Sequence, residues 1–438
     1  MSAKEHYRTA PIPLPHLPPE IWISIFRLAT WSTDMFNPQL MVSKGCGILY
    51  REQFREFKRS LVSSTPFLWW DDISARFFKV TKRHLVRVCK AWYSLASPLL
   101  FEYVFLGKGR VLASLRDGML RSEQAVELQK SESPHAIGWR IQRLDVHMRD
   151  RTDNPGLIMD ILPDILRRLP NLRVLTFAIT GHGYGDFYGN YLPENILQAT
   201  NACRDTLRLF NWYGGLEPSS NTWASFLENH PRLEAINAPV ALTQLENSHI
   251  VLDSLKSIYV HCQTNQDMLW KINLPSIHHA ICDGTIYDSM TAPSPHDHFL
   301  QKIGSKLTSI QIDVLRYNSN DVAYISITRI SSFCKNLARM DFVTLGWRMA
   351  GFLSLPATVH TLGVRINAHQ ISRRCLETFF SDIHYDLFRS PSVKTFCFTD
   401  ERNVRALRAH SQALSSNLAA ILVLGVNVMD HRGRPLVV

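Results

Sequence analysis

The chain of 438 residues is long enough for a substantial core and more than one folded unit. Its 45% hydrophobic and 20% charged residues exclude a disordered chain, and a formal net charge of +10 fits a moderately basic soluble surface. The eight cysteines form no CxxC pair and are too sparse for a disulfide scaffold, so reduced thiols in the cytoplasm or nucleus are expected. The first thirty residues hold no uninterrupted signal-peptide core, LAAILVLGVNVM near the C-terminus is too short to cross a bilayer, and PLVV is no lipidation signal. No membrane association is expected.

The first predicted element lies in HLPPEIWISIFRLAT, residues 16–30. Pro18 and Pro19 suit a helix start, where a missing N–H costs nothing, and Glu20 complements the positive helix end. Ile21, Ile25, Leu28 and Ala29 recur at helical spacing, with Trp22 and Phe26 beside them. So short a helix is marginal alone, and its face must pack on something. Irregular sequence follows: NPQLMVSKGCG is turn-rich, and YREQFREFKRSLV can form an amphipathic helix with Phe54, Phe57 and Leu61 on one side. TPFLWWDD is aromatic and expected to be buried. Then Leu85, Val88, Cys89, Trp92, Leu95 and Ala96 form a second helical stripe, with Arg83, Arg87 and Lys90 mostly away from it. Pro98 ends or restarts that helix before LLFEYVFL.

LPPEIWISIF followed by HLVRVCKAWYSLASPLLFEYV resembles an F-box domain. The matching positions are Leu17, Pro18, Glu20, Ile25 and Phe26, then Val88, Cys89, Lys90 and Trp92, then Leu95, Leu99, Leu100 and Phe101. The spacing departs from a compact F-box, with an insertion at about 27–80. This layout resembles the F-box-like proteins common in mushroom-forming fungi. The resemblance implies a helical domain over 17–106 that binds the Skp-type adaptor of a cullin–RING ubiquitin ligase. The implied surface is Leu17, Pro18, Ile21, Ile25, Leu85, Val88, Cys89 and Trp92. Ile25, Val88 and Trp92 suit internal core positions equally well.

From about 139 one phrase recurs: apolar, two residues, apolar, one residue, apolar. It is clear in IQRLDV (141), LRVLTF (172), LRLFNW (207), LKSIYV (255), LTSIQI (307), LARMDF (337), VHTLGV (359) and VKTFCF (393). LEAINA (233), IHHAIC (277) and LAAILV (418) are weaker copies. The starts lie about 22 to 35 residues apart, enough for one strand and one return segment. Helical patterns precede several copies: GLIMDILPDILRRLP, LPENILQATNACRDT, NTWASFLENHP with Trp223, Phe226 and Leu227 on one side, and ISRRCLETFFSDIHYDLFRSPS. DVAYISITRISSFCKN, with Ile325, Ile327, Ile330 and Phe333, is a weaker helix because of its β-branched residues.

The alternation over roughly 137–430 resembles an irregular leucine-rich-repeat solenoid, and the fold class expected for the chain is α/β. That resemblance implies parallel strands on a concave face and helices outside. The family's asparagine or cysteine step is mostly absent, with Cys262 after Val260 as one remnant; an ordinary α/β domain is the alternative. No glycine fingerprint follows any strand, which counts against a doubly wound nucleotide fold. Each repeat buries its apolar residues only by stacking on neighbours, and the outward residues then line one continuous surface suited to a protein ligand. By pattern these include Thr176, Ser257, Ser309 and Cys397. The candidates for target contact are Arg173, Arg208, Asn211, Tyr259, Gln311, Arg339, Asp341 and Lys394. Units 141–146 and 418–423 are the expected caps. The charged segment 107–136, with one helix over 111–130, is either the first helical element of the solenoid or a linker that sets the spacing between the two binding ends.

No catalytic or nucleotide-binding motif is present. GHGYGDFYGN (181–190) reads as a loop that can offer Tyr184, Phe187 and Tyr188 to a target. His278, His279 and Cys282 lack a fourth metal ligand. Cys89, on the apolar stripe, is read as structurally buried. The basic FKVTKRHLVR, with Lys79, Lys82, Arg83, His84 and Arg87, reads as a solvated helix start and not a nucleic-acid site. The expected protein is a non-enzymatic substrate receptor without cofactor or metal. Its partners are a Skp-type adaptor, through it a cullin, and an unidentified target. The alternative is a repeat scaffold with no ligase role. The expected organisation is a tail over 1–16, the F-box-like domain over 17–106, the connector over 107–136, the solenoid over 137–430 and a tail over 431–438.

Overall fold

The computed structural model describes residues 17–30, 80–107, 109–128, 135–148, 155–179, 194–212, 218–237, 250–260, 272–283, 295–313, 330–344, 346–347, 355–366 and 372–436. The expected helix over 50–62, TPFLWWDD, the loop with Tyr184, Phe187 and Tyr188, and Ile325 and Ile327 lie outside them.

Helix α1 (Pro19–Thr30) begins at its proline with Glu20 in the first turn. The second stripe is not one helix. Residues 80–85 are helical, tight turns follow, with Arg87 N donating to His84 O at 3.0 Å, and α2 spans Lys90–Phe101. Cys89 is extended and caps α2, its Sγ accepting from the Trp92 N–H at 3.5 Å. It is therefore exposed, which corrects its expected burial: a thiol that must reach the first-turn N–H groups sits outside the helix. Pro98 lies inside α2 and does not end it; Leu99, buried in the core, carries the helix on to Phe101.

Glu102 alone separates α2 from strand β1 (Tyr103–Leu106). Its backbone oxygen accepts from the N–H groups of Gln142 and Arg143, both at 3.0 Å. Lys82 Nζ donates to Leu99 O at 2.7 Å and pairs with the Glu102 carboxylate at 3.6 Å. Burial pushes the Glu102 carboxyl up and the Lys82 ammonium down, each against the pull of its partner. The sheet thus starts inside the segment expected to be the helical domain, and the joint between the two parts is Glu102, not 107–136.

The sheet continues with β2 (Arg143–Met148), β3 (Val174–Ile179), β4 (Leu209–Trp212), β5 (Ala235–Asn237), β6 (Ser257–Val260), β7 (His279–Asp283), β8 (Ser309–Asp313), β9 (Arg339–Thr344), β10 (Thr361–Ile366), β11 (Thr395–Phe398) and β12 (Asn427–Met429). All twelve strands are parallel and follow chain order, a solenoid-like α/β arrangement. The register explains the repeated phrase. Its second apolar residue forms one unbroken row, Leu144, Leu175, Phe210, Ile236, Ile258, Ala280, Ile310, Met340, Leu362 and Phe396, ending at Val428. Every member is buried in a single core cluster. Neighbouring strands stand about 4.8 Å apart, so each apolar side chain is flanked on either side by its equivalents.

The helices lie on the face to which this row points. They are α3 (Gly109–Glu127), α4 (Ile137–Arg140), α5 (Pro155–Leu166), α6 (Glu194–Ala199), α7 (Ser220–Asn229), α8 (Pro295–Ile303), α9 (Arg373–Arg389), α10 (Glu401–Arg408) and α11 (Ser411–Val423). Helix α3 packs against α5 and puts Leu112 and Met119 into the common core, so the segment 107–136 supplies the first outer helix rather than a linker. LAAILV is no strand: Leu414, Leu418 and Ile421 are buried at four- and three-residue spacing along α11. Gly425, at φ 75°, ends that helix in a left-handed conformation closed to most residues, and β12 follows. Residues 431–436 of the expected tail belong to the sheet end. Leu436 N donates to Val428 O at 2.8 Å and Pro435 bridges Met429, covering the outer edge of β12. No helix among the described residues is long and apolar enough to cross a membrane.

Gly138 in α4 has no room for a side chain: a Cβ would overlap the backbone oxygen of Arg168, which closes the turn after α5, and press on Met119. Gly138→Ala is expected to cost about 1–3 kcal/mol, the range for overpacking a filled core. A urea titration reads it as a lower midpoint at unchanged slope.

Candidate functional site

Two surfaces carry the candidate residues. The first is on the helical pair. Trp22 and Phe26 of α1 close on Trp92 of α2, with ring centroids 5.0 and 4.7 Å away. Phe26, Ala96 and Leu99 are buried, and Leu85, Val86, Trp92 and Leu95 pack against them. Among the expected adaptor residues, Leu85 and Trp92 are thus half-buried and hold the pair together. Leu17, Pro18, Ile21, Ile25, Val88 and Cys89 are exposed. Exposure reaches 46% for Ile21, 40% for Ile25 and 52% for Val88. Leu28, absent from the expected set, is the most open of the group at 83%. It was legible in principle, because it extends the Ile21–Ile25 line by one further helical step. Helix α1 therefore has two apolar faces, one closed on α2 and one facing solvent.

The second surface is the sheet face opposite the helices. Side chains alternate along a strand, so the residue between two core positions points to this face. Asp145, Thr176, Asn211 and Asn237 form one in-register row, and Tyr259, Ile281, Gln311, Asp341, Gly363 and Cys397 continue the same level. Four expected target contacts in this row are buried: Asn211 at 4% exposure, Tyr259 at 1%, Gln311 at 2% and Asp341 at 6%. They are corrected here to structural positions. Equivalent side chains on adjacent strands cover one another's flanks, and some are bonded across or along the row. Asn211 Nδ2 donates to Thr176 Oγ1 at 3.3 Å, and Asp341 accepts from Arg339 Nε at 2.9 Å while filling the space above Gly363. Arg143 and Asp145 make a similar buried pair at 2.8 Å, with the guanidinium 4.8 Å over the Tyr103 ring.

The remaining candidates lie elsewhere. Arg173, Arg208 and Lys394 each immediately precede a strand, in the turn that enters it, and Arg339 opens β9. Arg173 and Lys394 are exposed; Arg208 and Arg339 are half-buried. His279 and Cys282, an odd number of residues apart on β7, point to opposite faces, and the described residues contain no group of three ligands able to hold a metal.

His279 bonds Ser309 Oγ at 2.7 Å through Nδ1, and burial lowers its pKa from 6.5 to about 4, against the pull of Asp341. A histidine kept neutral in the folded chain leaves stability complete above pH 6.5 and lost as pH falls toward 4. The shift corresponds to roughly 3 kcal/mol. His230, also lowered by burial, adds a slope of the same sign. His279→Gln is expected to flatten the pH dependence of the denaturation midpoint between 6.5 and 4, without abolishing it.

Neither a family model nor a curated protein matches the chain.

Proposed function

We propose that the chain is the substrate-recognition subunit of a cullin–RING ubiquitin ligase. The helical pair docks on a Skp-type adaptor, and a leucine-rich-repeat-like solenoid holds a target protein. The chain does no chemistry itself; it raises the local concentration of target beside a ubiquitin-conjugating enzyme supplied by other subunits. Such a complex works in the cytoplasm or nucleus. The observation that carries the reading is the solvent-facing line of Ile21, Ile25 and Leu28 on a helix whose other face is already closed by three aromatic rings, with Val88 exposed in the turn before its partner helix. Apolar groups left in a row on an otherwise packed pair suit a protein partner, and the F-box resemblance names its class.

A second reading has support in the joint at Glu102. A helical pair bonded directly into β1 and β2 also serves as an end cap of the sheet, as in a repeat scaffold that recruits no ligase. Titration of the full chain with a Skp-type adaptor separates the two. A saturable one-to-one complex by size exclusion and calorimetry is the expected result. A well-folded chain that ignores the adaptor leaves the scaffold reading. The full chain is required, because a cut at 106 strands β1 without its partner β2.

A further inference from the structure

The turns that enter the strands are unusually basic. RRLPNLR (167–173) precedes β3, RDTLR (204–208) precedes β4, and Arg232 and Lys256 precede β5 and β6. Arg167, Arg173, Arg204 and Arg232 are exposed. The turns touch one another in sequence: Thr206 Oγ1 donates to Pro170 O at 2.8 Å, Arg232 Nη1 to Asp205 O at 3.3 Å and Arg208 Nη1 to Arg232 O at 3.1 Å. Backbone bonds lengthen the ladder into this rim, with Arg208 N on Arg173 O at 2.8 Å and Glu234 N on Arg208 O at 2.7 Å. The cations therefore stand on a fixed, continuous edge and not on independent loops.

Attraction to helix C-termini explains a cation just after a helix, such as Arg167. It does not explain Arg173 or Arg208, which lie beyond the turn at the strand entrance. Local ion pairing is uneven: half-buried Glu234 holds Lys256 at 2.8 Å and Arg208 at 3.8 Å, whereas the outer cations are held loosely. Arg167 meets Asp164 at 3.1 Å and Arg204 meets Asp205 at 3.4 Å, in pairs whose side chains are 46–57% and 65–68% exposed. Such pairs contribute little to stability and exchange readily for an external carboxylate.

We propose that this strand-entry rim, from Arg167 to Lys256, is a docking track for an extended acidic segment of a partner protein. Arginine forks accept carboxylates in two parallel bonds, which suits glutamate and aspartate side chains. Interspersed acids, Asp205, Glu234 and Asp253, break the field into a pattern that an acidic polypeptide with spaced charges can match. A nucleic acid would want a uniform basic field with stacking rings, and these turns contain no Phe, Tyr or Trp. This rests on the reading of the sheet as the partner-holding part, but not on adaptor docking.

The test is fluorescence anisotropy on the full chain with a labelled peptide of alternating glutamate and serine. Its glutamine counterpart and a single-stranded oligonucleotide of equal charge complete the set, at low and physiological salt. The expected result is salt-sensitive binding of the glutamate peptide only, weakened about tenfold or more by Arg167→Ala, Arg173→Ala and Arg204→Ala together. A second triple variant, Arg121→Ala, Arg373→Ala and Arg374→Ala, removes the same charge from exposed helix positions and is expected to bind as the unaltered chain does. Equal weakening in both variants, equal binding of the glutamine peptide, tighter binding of the oligonucleotide, or no binding at all overturns the proposal. Adaptor titration of the rim variant, expected to be unchanged, keeps this outcome separate from failure of the ligase reading.

Discussion

The Ile21→Asp, Ile25→Asp double variant is expected to lose adaptor affinity by about a hundredfold or more, a change of about 2.7 kcal/mol. Its melting temperature should stay close to that of the unaltered chain. Both isoleucines are exposed in the free protein, so a carboxylate there keeps its water and displaces little packing. At Ile21, in the first turn of α1, negative charge even complements the helix end. The cost arises only on docking, when two carboxylates must leave water for an apolar contact. Trp92→Ala makes the contrast. It removes the ring that Trp22 and Phe26 close upon, and should lower stability and binding together. Calorimetric titration beside a thermal melt distinguishes the two. Undiminished adaptor binding by the double aspartate variant would sink the proposed docking face.

Phe210→Ala should be the most damaging single truncation in the sheet, at about 3–5 kcal/mol. Phe210 is the third of the eleven residues in the core row, flanked by Leu175 and Ile236. Phe226 lies 4.7 Å away, Trp223 5.7 Å, and Phe177 and Trp212 each 6.0 Å. No neighbour can slide in to fill the space, because each is fixed by its own strand or helix. In a stack where units are stabilised by their neighbours, weakening one internal unit also weakens cooperation across it. Chemical denaturation should therefore show a lowered midpoint and a transition that broadens or splits. An unchanged single transition would mean that this aromatic cluster does not carry the load assigned to it.

The parts of the fold that were readable from sequence are those where one residue's surroundings repeat. Leu144, Leu175, Phe210 and Ile310 recur in the same phrase because each meets the same neighbours, and ten such phrases carry strands. The misread segment, 418–423, is an apolar run too short for periodicity to separate strand from helix. Gly425 was the one local sign that a helix ended there. Cys89 was misplaced because a stripe of spacings does not reveal a cap. Asn211, Tyr259, Gln311 and Asp341 were rightly placed on the face opposite the helices, yet exposure there depends on neighbouring strands that no local pattern describes. The Lys82–Glu102 pair joins residues twenty apart through burial alone, and nothing in the sequence points to it.

That joint ties the helical end to the sheet through a single residue, Glu102. With β1 continuous with α2 and each strand adding about 4.8 Å in a fixed direction from its neighbour, the sheet is a ruler graduated in repeats. A site on the turns before β3 and β4 and a site beside β11 stand at different set distances from Glu102. Where a partner settled along the rim would therefore determine how far it was held from anything gripping the helical end. Adding or deleting one repeat would move everything beyond it by a single graduation.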